Sequence, residues 1–290
     1  MLNEPIKNKN DLISILQCPA CYGAVKRIND TLQCIACKTK LRFEHGKVFY
    51  TDPPENINPT ELRERGPQTD TPWRQANTHF LIEQLEQLPG DSLILDVGAG
   101  RGDLLPHYAR FPHVLVDVYP YPEVDIVCDL TTINPFQPSS FDVILLMNVL
   151  EHVYSPKDML ASLEPILKPG GKIMIAIPFL LKIHQAPLDF QRLTHFSLQR
   201  MAQEVGLQVV HLNAFYDPLG LMHEPLRYYQ FWVRPVQSRI SRLFSGVILE
   251  IVKLDLWFLS LFSPKACTAS PFEAKNPAPV GYQLVLQKPF

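Results

Sequence analysis

Leu95-Asp96-Val97-Gly98-Ala99-Gly100-Arg101-Gly102-Asp103 is the stretch that decides the fold. Residues 92–97 (SLILDV) form an apolar run that ends on an acid and then breaks into glycines at alternate positions. A strand that stops at such a loop and feeds a helix, here expected to open at Asp103, is the first unit of an α/β sheet. Glycines 98, 100 and 102 let the backbone approach a ligand where side chains would collide. The free N–H groups of the following turn point into the same space.

The dinucleotide fingerprint is G-x-G-x-x-G. Here the third glycine comes one residue early, and Asp96 precedes the loop. An acid in that position repels a pyrophosphate. It suits a ligand with an ammonium group and no phosphate, and S-adenosylmethionine is such a ligand. Outward from the loop, apolar runs at residues 113–118, 125–128, 141–147 and 172–177 alternate with helix-length segments. Continuous apolar strands of this kind belong to a parallel sheet covered on both faces. Asp117 and Asp129 end the second and third strands. There they are placed to accept hydrogen bonds from ribose hydroxyls and from an adenine amino group.

The helices between the strands carry ordinary signals. Residues 73–88 place apolar side chains at helical spacing, and Pro89-Gly90 ends the segment. Ser155 is the expected N-cap of a helix with Pro156 in its first turn. A later helix is expected to start at Ser197 and to end at Gly206. Residues 207–212 and 282–287 supply strands six and seven, and residues 214–280 form a long, apolar insertion before the last strand. The expected fold is therefore α/β: a Rossmann-like, seven-stranded, mostly parallel sheet with helices on both faces.

The segments LDVGAGRGD (95–103), VDV (116–118), DIVCDL (125–130), FDVILLMNVLEHV (141–153) and LKPGGKIMIAIP (167–178) resemble, in order and spacing, the class I S-adenosylmethionine-dependent methyltransferases of the type-11, UbiE-like group. The resemblance covers about residues 73–213. It implies that Asp96, Gly98 and Gly100 hold the methionine part of the cofactor, that Asp117 binds its ribose, and that Asp129 and Leu130 border its adenine. It also implies that Asn148 closes over the cofactor from the end of strand four. Enzymes that methylate base or glutamine nitrogens carry [DN]-P-P-[YF] after that strand. This chain has Met147-Asn148-Val149-Leu150 there, which argues against that acceptor class.

Methyl transfer from a sulfonium needs alignment above all, and a hydroxyl acceptor benefits from a general base. His152 follows strand four and His184 follows strand five, so both fall where the acceptor belongs. Residues 178–194 resemble a subgroup pattern, P-F…H…P-x-D-[FY]-x-R-x-T, some of whose members are encoded among polysaccharide- or lipid-modifying enzymes. His184 is the favoured base or acceptor-binding group, with Asp189 and Arg192 shaping the pocket. Asp189 and Arg192, at i and i+3, also read as a structural ion pair, and His152 reads more as a structural residue.

Residues 1–50 form a separate unit. Cys18-Pro19-Ala20-Cys21 and Cys34-Ile35-Ala36-Cys37 make C-x2-C-x12-C-x2-C, in which each pair can place two thiolates on one tetrahedral metal. Paired spacing of this kind points to structural Zn²⁺ rather than disulfides. The segment resembles the zinc ribbon that activates certain tRNA and protein methyltransferases, and also the N-terminal finger of a bacterial rRNA guanine methyltransferase. Residues 51–72 are rich in proline and polar groups and read as a linker to a catalytic domain at 73–290.

The chain has 290 residues and a formal net charge of −2, and it lacks a basic run near the N-terminus. Both facts count against nucleic acid as substrate. The leading expectation is an enzyme that methylates a small-molecule, glycan or lipid-linked acceptor at oxygen. The rivals are an RNA methyltransferase gripping substrate with the ribbon, and a cofactor-binding regulator without turnover. The polar N-terminus has no signal-peptide core, so a cytoplasmic location is expected. Residues 227–262 join a basic aromatic stretch to an apolar helix. They suit peripheral membrane contact, a homodimer interface or a helical cap.

Overall fold

The computed structural model describes residues 12–29, 31–54, 71–217, 238–260, 266–272 and 278–290. Its strands are β1 (Val25–Ile28), β2 (Thr31–Cys34), β3 (Lys40–Glu44), β4 (Lys47–Phe49), β5 (Ile94–Val97), β6 (His113–Asp117), β7 (Ile126–Val127), β8 (Phe141–Met147), β9 (Leu167–Pro178), β10 (Gln208–Tyr216), β11 (Cys267–Ala269) and β12 (Gly281–Gln287). Its α-helices are α1 (Pro72–Leu85), α2 (Leu105–Tyr108), α3 (Pro156–Leu163), α4 (His195–Glu204) and α5 (Arg239–Ser260).

The strands join in the order β1-β2-β3-β4-β7-β6-β5-β8-β9-β12-β10-β11. The seven expected strands occupy the middle, from β7 to β10. Neighbours from β7 to β9 are parallel, and β12 pairs antiparallel with β9 and β10. Along β8, Val143, Leu145 and Met147 enter one hydrophobic cluster with Phe80, Leu81 and Leu85 of α1. Ile144 and Leu146 enter the other, with Met159, Leu160 and Leu163 of α3 and with Leu198 and Ala202 of α4. Two buried faces explain why this strand is apolar at every position but one.

The sheet is wider than the expected seven strands. β4 pairs in parallel with β7, at Val48–Ile126 and Phe49–Val127, so the cysteine-bearing unit continues the catalytic sheet. Its interior is shared as well. Leu16, Leu32, Cys34, Leu41 and Val48 belong to the same hydrophobic cluster as Ile144 and Ile175. Lys47 Nζ donates to the carbonyls of Pro122 and Val124, at 2.7 and 2.8 Å. Gln17 N donates to Pro135 O, and Tyr50 Oη to Gln17 O.

Local details differ from the sequence reading at several points, among them β9, which starts at Leu167 rather than 172. The helix after the glycine loop opens at Leu105 rather than Asp103 and is four residues long, because residues 101–104 are spent on turns. The N-cap of α4 is Thr194, whose hydroxyl accepts from Ser197 N, so Ser197 lies inside the helix. Ser155 occupies the N-cap of α3 without a side-chain cap bond. The insertion starts after Tyr216 rather than at 214, and besides α5 it contributes β11, which pairs with β10. The stretch 227–234 lies outside the described residues. No helix among the described residues is long and apolar enough to cross a membrane.

Candidate functional site

The residues singled out from the sequence converge on the C-terminal ends of β5 to β9. β5 delivers Asp96 into a closed environment, where Tyr108 Oη donates to Asp96 Oδ2 at 2.5 Å. Burial pushes the Asp96 carboxyl up to about 7, against the pull of that hydrogen bond. A buried acid next to a glycine turn is electrostatically suited to an ammonium group. The turn takes its shape from Gly98 and Gly100, at φ +68° and +57°. A Cβ on Gly98 would sit 2.7 Å from Val149 Cγ2, so the loop after β8 closes directly on the glycine turn.

Asp117, at the end of β6, accepts from Gly100 N at 2.9 Å with one oxygen and from Tyr119 N at 2.9 Å with the other. It thus ties the glycine loop to the second strand end. Asp129, just past β7, accepts from Thr131 N and Thr131 Oγ1 at 2.9 and 2.6 Å. Its own N–H donates to Thr51 Oγ1. Leu130, the next residue, is buried. Asn148 follows β8 at φ +56°, a conformation its short amide tolerates. Its Oδ1 accepts from Trp73 Nε1 at 3.1 Å. Trp73, on α1, and Thr51, after β4, are contributors that the sequence reading missed.

A second group lies beside this one. Glu151 and His152 sit on the 3-10 turn Leu150–His152, and His184 on the loop after β9. The two imidazoles meet edge to face, with centroids 4.8 Å apart. His152 Nδ1 bonds Leu188 O, and burial holds the His152 imidazole below its ordinary range. His184 N donates to Asp189 Oδ2 at 2.8 Å. Arg192 clamps Asp189 through both carboxylate oxygens, at 2.6 and 2.9 Å, and also holds Leu181 O and Lys182 O. That clamp keeps Asp189 well below the usual carboxylate range. Asp189 and Arg192 therefore fix the loop that carries His184. Glu151, passed over in the sequence, is fully buried, and burial pushes its carboxyl up to about 8.

The four cysteines expected to bind metal come together. Cys18 Sγ and Cys37 Sγ are 3.5 Å apart, as are Cys21 Sγ and Cys34 Sγ, and all four sulfurs lie within 4.8 Å of one another. The Thr39 hydroxyl, 3.1 Å from Cys37 Sγ, holds that thiol below its ordinary value, while Cys21 in the same cluster is pushed up by its neighbouring thiols. The donor set and its closeness fit Zn²⁺.

A methyltransferase-domain family matches residues 68–212, half of the chain. The chain belongs to the class I S-adenosylmethionine-dependent methyltransferases. It is 30% identical over 179 residues to a ubiquinone biosynthesis O-methyltransferase of Xanthomonas campestris, covering 56% of this chain and 68% of that one. It is 29% identical over 115 residues to a demethylmenaquinone methyltransferase of Renibacterium salmoninarum, covering 36% of this chain. The match spans just under half, 46%, of that relative's length. Among solved structures it is similar to the 1,6-didemethyltoxoflavin-N1-methyltransferase of Burkholderia thailandensis. That likeness has TM-score 0.46 and 14% identity, and covers 76% of this chain and 80% of the other.

Proposed function

We propose that this methyltransferase transfers the methyl group to a hydroxyl oxygen of a small molecule held against His152 and His184, which lie over the buried Glu151. The observation that carries the reading is the adjacency of two unlike sites. A glycine turn with a buried acid touches Val149, and two residues further on begins a cluster of imidazoles and a buried carboxylate. Asp96, Gly98 and Gly100 would hold the amino-acid end of S-adenosylmethionine, Asp117 its ribose, and Asp129 with Leu130 its adenine. Asn148, braced by Trp73, would border the transferred group. The bound cofactor supplies a methyl carbon made electrophilic by a sulfonium.

The chain's own residues do the rest. His152 and His184 present their Nε2 edges toward Glu151, where they engage the acceptor oxygen or its proton. Asp189 and Arg192 position His184 rather than touch the acceptor. The attacking oxygen forms the new C–O bond as the C–S bond breaks, the electron pair stays on sulfur, and the hydroxyl proton leaves at this cluster. A relative named for O-methylation supports oxygen as the acceptor atom. Extension to lipid- or glycan-linked acceptors, with contact at a membrane surface through 227–262, is supported by the exposed stripe Val247, Ile251, Leu254 and Phe258 on α5. The Cys18, Cys21, Cys34 and Cys37 set would hold Zn²⁺ as a structural ion.

The test is a screen of phenolic and catecholic acceptors with radiolabelled cofactor, followed by His184→Ala on the best acceptor. The expected result is a loss of at least roughly a hundredfold in kcat with cofactor affinity retained. Unchanged turnover would remove the cluster from the reaction.

A further inference from the structure

Glu151 has no exposed surface, and neither of its carboxylate oxygens has a hydrogen-bond partner. An unpaired buried carboxylate is costly unless a cation or donor reaches it. Facing it are two imidazole nitrogens, His152 Nε2 at 3.7 Å and His184 Nε2 at 3.8 Å from Glu151 Oε1. The two rings are placed differently. His152 Nδ1 is taken up by Leu188 O. His184 Nδ1 lies 3.3 Å from Asp189 Oδ2, the oxygen that also receives His184 N–H. The His152 ring, anchored at Nδ1 by a backbone carbonyl, presents its Nε2 lone pair, which is how protein metal ligands are oriented; His184 is placed through its backbone N–H on Asp189, while its own Nδ1 makes no hydrogen bond.

We propose that Glu151, His152 and His184 form a divalent-metal site. The donor atoms of the three residues already lie within 4.8 Å of one another. Metal–ligand bonds of about 2.1 Å set neighbouring donors roughly 3 to 3.5 Å apart, so binding requires only a modest contraction. Two imidazoles and one carboxylate suit a borderline cation such as Zn²⁺, Fe²⁺ or Co²⁺. Three protein ligands leave coordination positions open to small oxygen ligands. The site is distinct from the cysteine cluster, which offers sulfur alone.

The inference deepens the acceptor reading and rests on it in one respect: the acceptor hydroxyl would occupy an open position on the cation. The cation would favour the ionised oxygen, with the proton released to water. His184 and His152 would then serve as ligands, not as proton acceptors.

The experiment uses the full chain as purified, with Co²⁺ alone as probe and neither cofactor nor acceptor present. Visible absorption and thermal unfolding are followed during titration of wild type, Glu151→Gln and His184→Ala. The expected result for wild type is one equivalent bound with nitrogen/oxygen-type visible bands and no thiolate charge-transfer band, together with a raised melting temperature. Affinity falls at least about tenfold in both variants. Glu151→Gln, which is isosteric and cannot ionise, retains a cooperative melt without Co²⁺. Equal Co²⁺ uptake in all three proteins, or uptake carrying only thiolate bands, would overturn the proposal. A negative outcome leaves methyl transfer to a hydroxyl standing, because that reading fails separately, on the acceptor screen.

Discussion

Asp96→Asn should make the cofactor-free protein more stable at neutral and alkaline pH while weakening its cofactor site. Asp96 is buried at the end of β5, and its carboxyl is pushed from 3.8 to about 7, chiefly by burial. The folded chain therefore holds this proton more tightly than the unfolded chain does. A raised acid contributes its full stability below its unfolded value and loses it as pH climbs through the folded one. A displacement of about three units at ~1.4 kcal/mol each amounts to roughly 4 kcal/mol, of which about 3 kcal/mol falls between pH 5 and 8. Asparagine carries no charge at any of these values and preserves an acceptor for the Tyr108 hydroxyl. Urea unfolding of both proteins at pH 5, 6, 7 and 8 gives the difference directly. The wild type should lose stability relative to the variant across that range and level off above it. Parallel curves would refute the argument that Asp96 is a charge buried in advance of its ligand.

Two further perturbations follow from the same geometry. Gly98→Ala forces a side chain into φ +68° and against Val149 Cγ2, at a cost of about 2 to 4 kcal/mol. Adding Val149→Ala should recover the steric part but not the conformational part. A strictly additive double-mutant cycle in urea would contradict the contact. Removing the Zn²⁺ proposed for the cysteine unit with a chelator should lower the melting temperature of the whole protein in one transition, since Leu16, Leu32 and Leu41 share the main core. Circular dichroism showing an unshifted melt, or a small separate transition, would contradict that coupling.

Much of this arrangement was legible in the sequence because strands buried on two faces are apolar throughout. β5, β8 and the second half of β9 could be placed from their runs alone, Asp96 and Asp117 followed as strand ends, and Asn148 followed from the family resemblance. What was not legible depends on contacts distant in the chain. A three-residue strand such as Lys47–Phe49 carries no mark that it will pair with Ile126–Val127, so the cysteine unit read as a separate domain behind a linker. Glu151 looks like any acid until burial and two imidazoles define it. Trp73 reads as one more apolar helix position, and only the fold brings its indole N–H to Asn148. Thr194 and Ser197 are chemically interchangeable as caps, so the sequence alone could not choose between them.

Calorimetric titration of the purified chain with S-adenosylmethionine and S-adenosylhomocysteine bears most directly on the account. One cofactor per chain is predicted to bind. Asp117→Ala removes the carboxylate that links Gly100 to the second strand end, and should weaken binding by about tenfold to a hundredfold. Absence of measurable binding by the wild type, or equal affinity in wild type and Asp117→Ala, would contradict the assignment of this site.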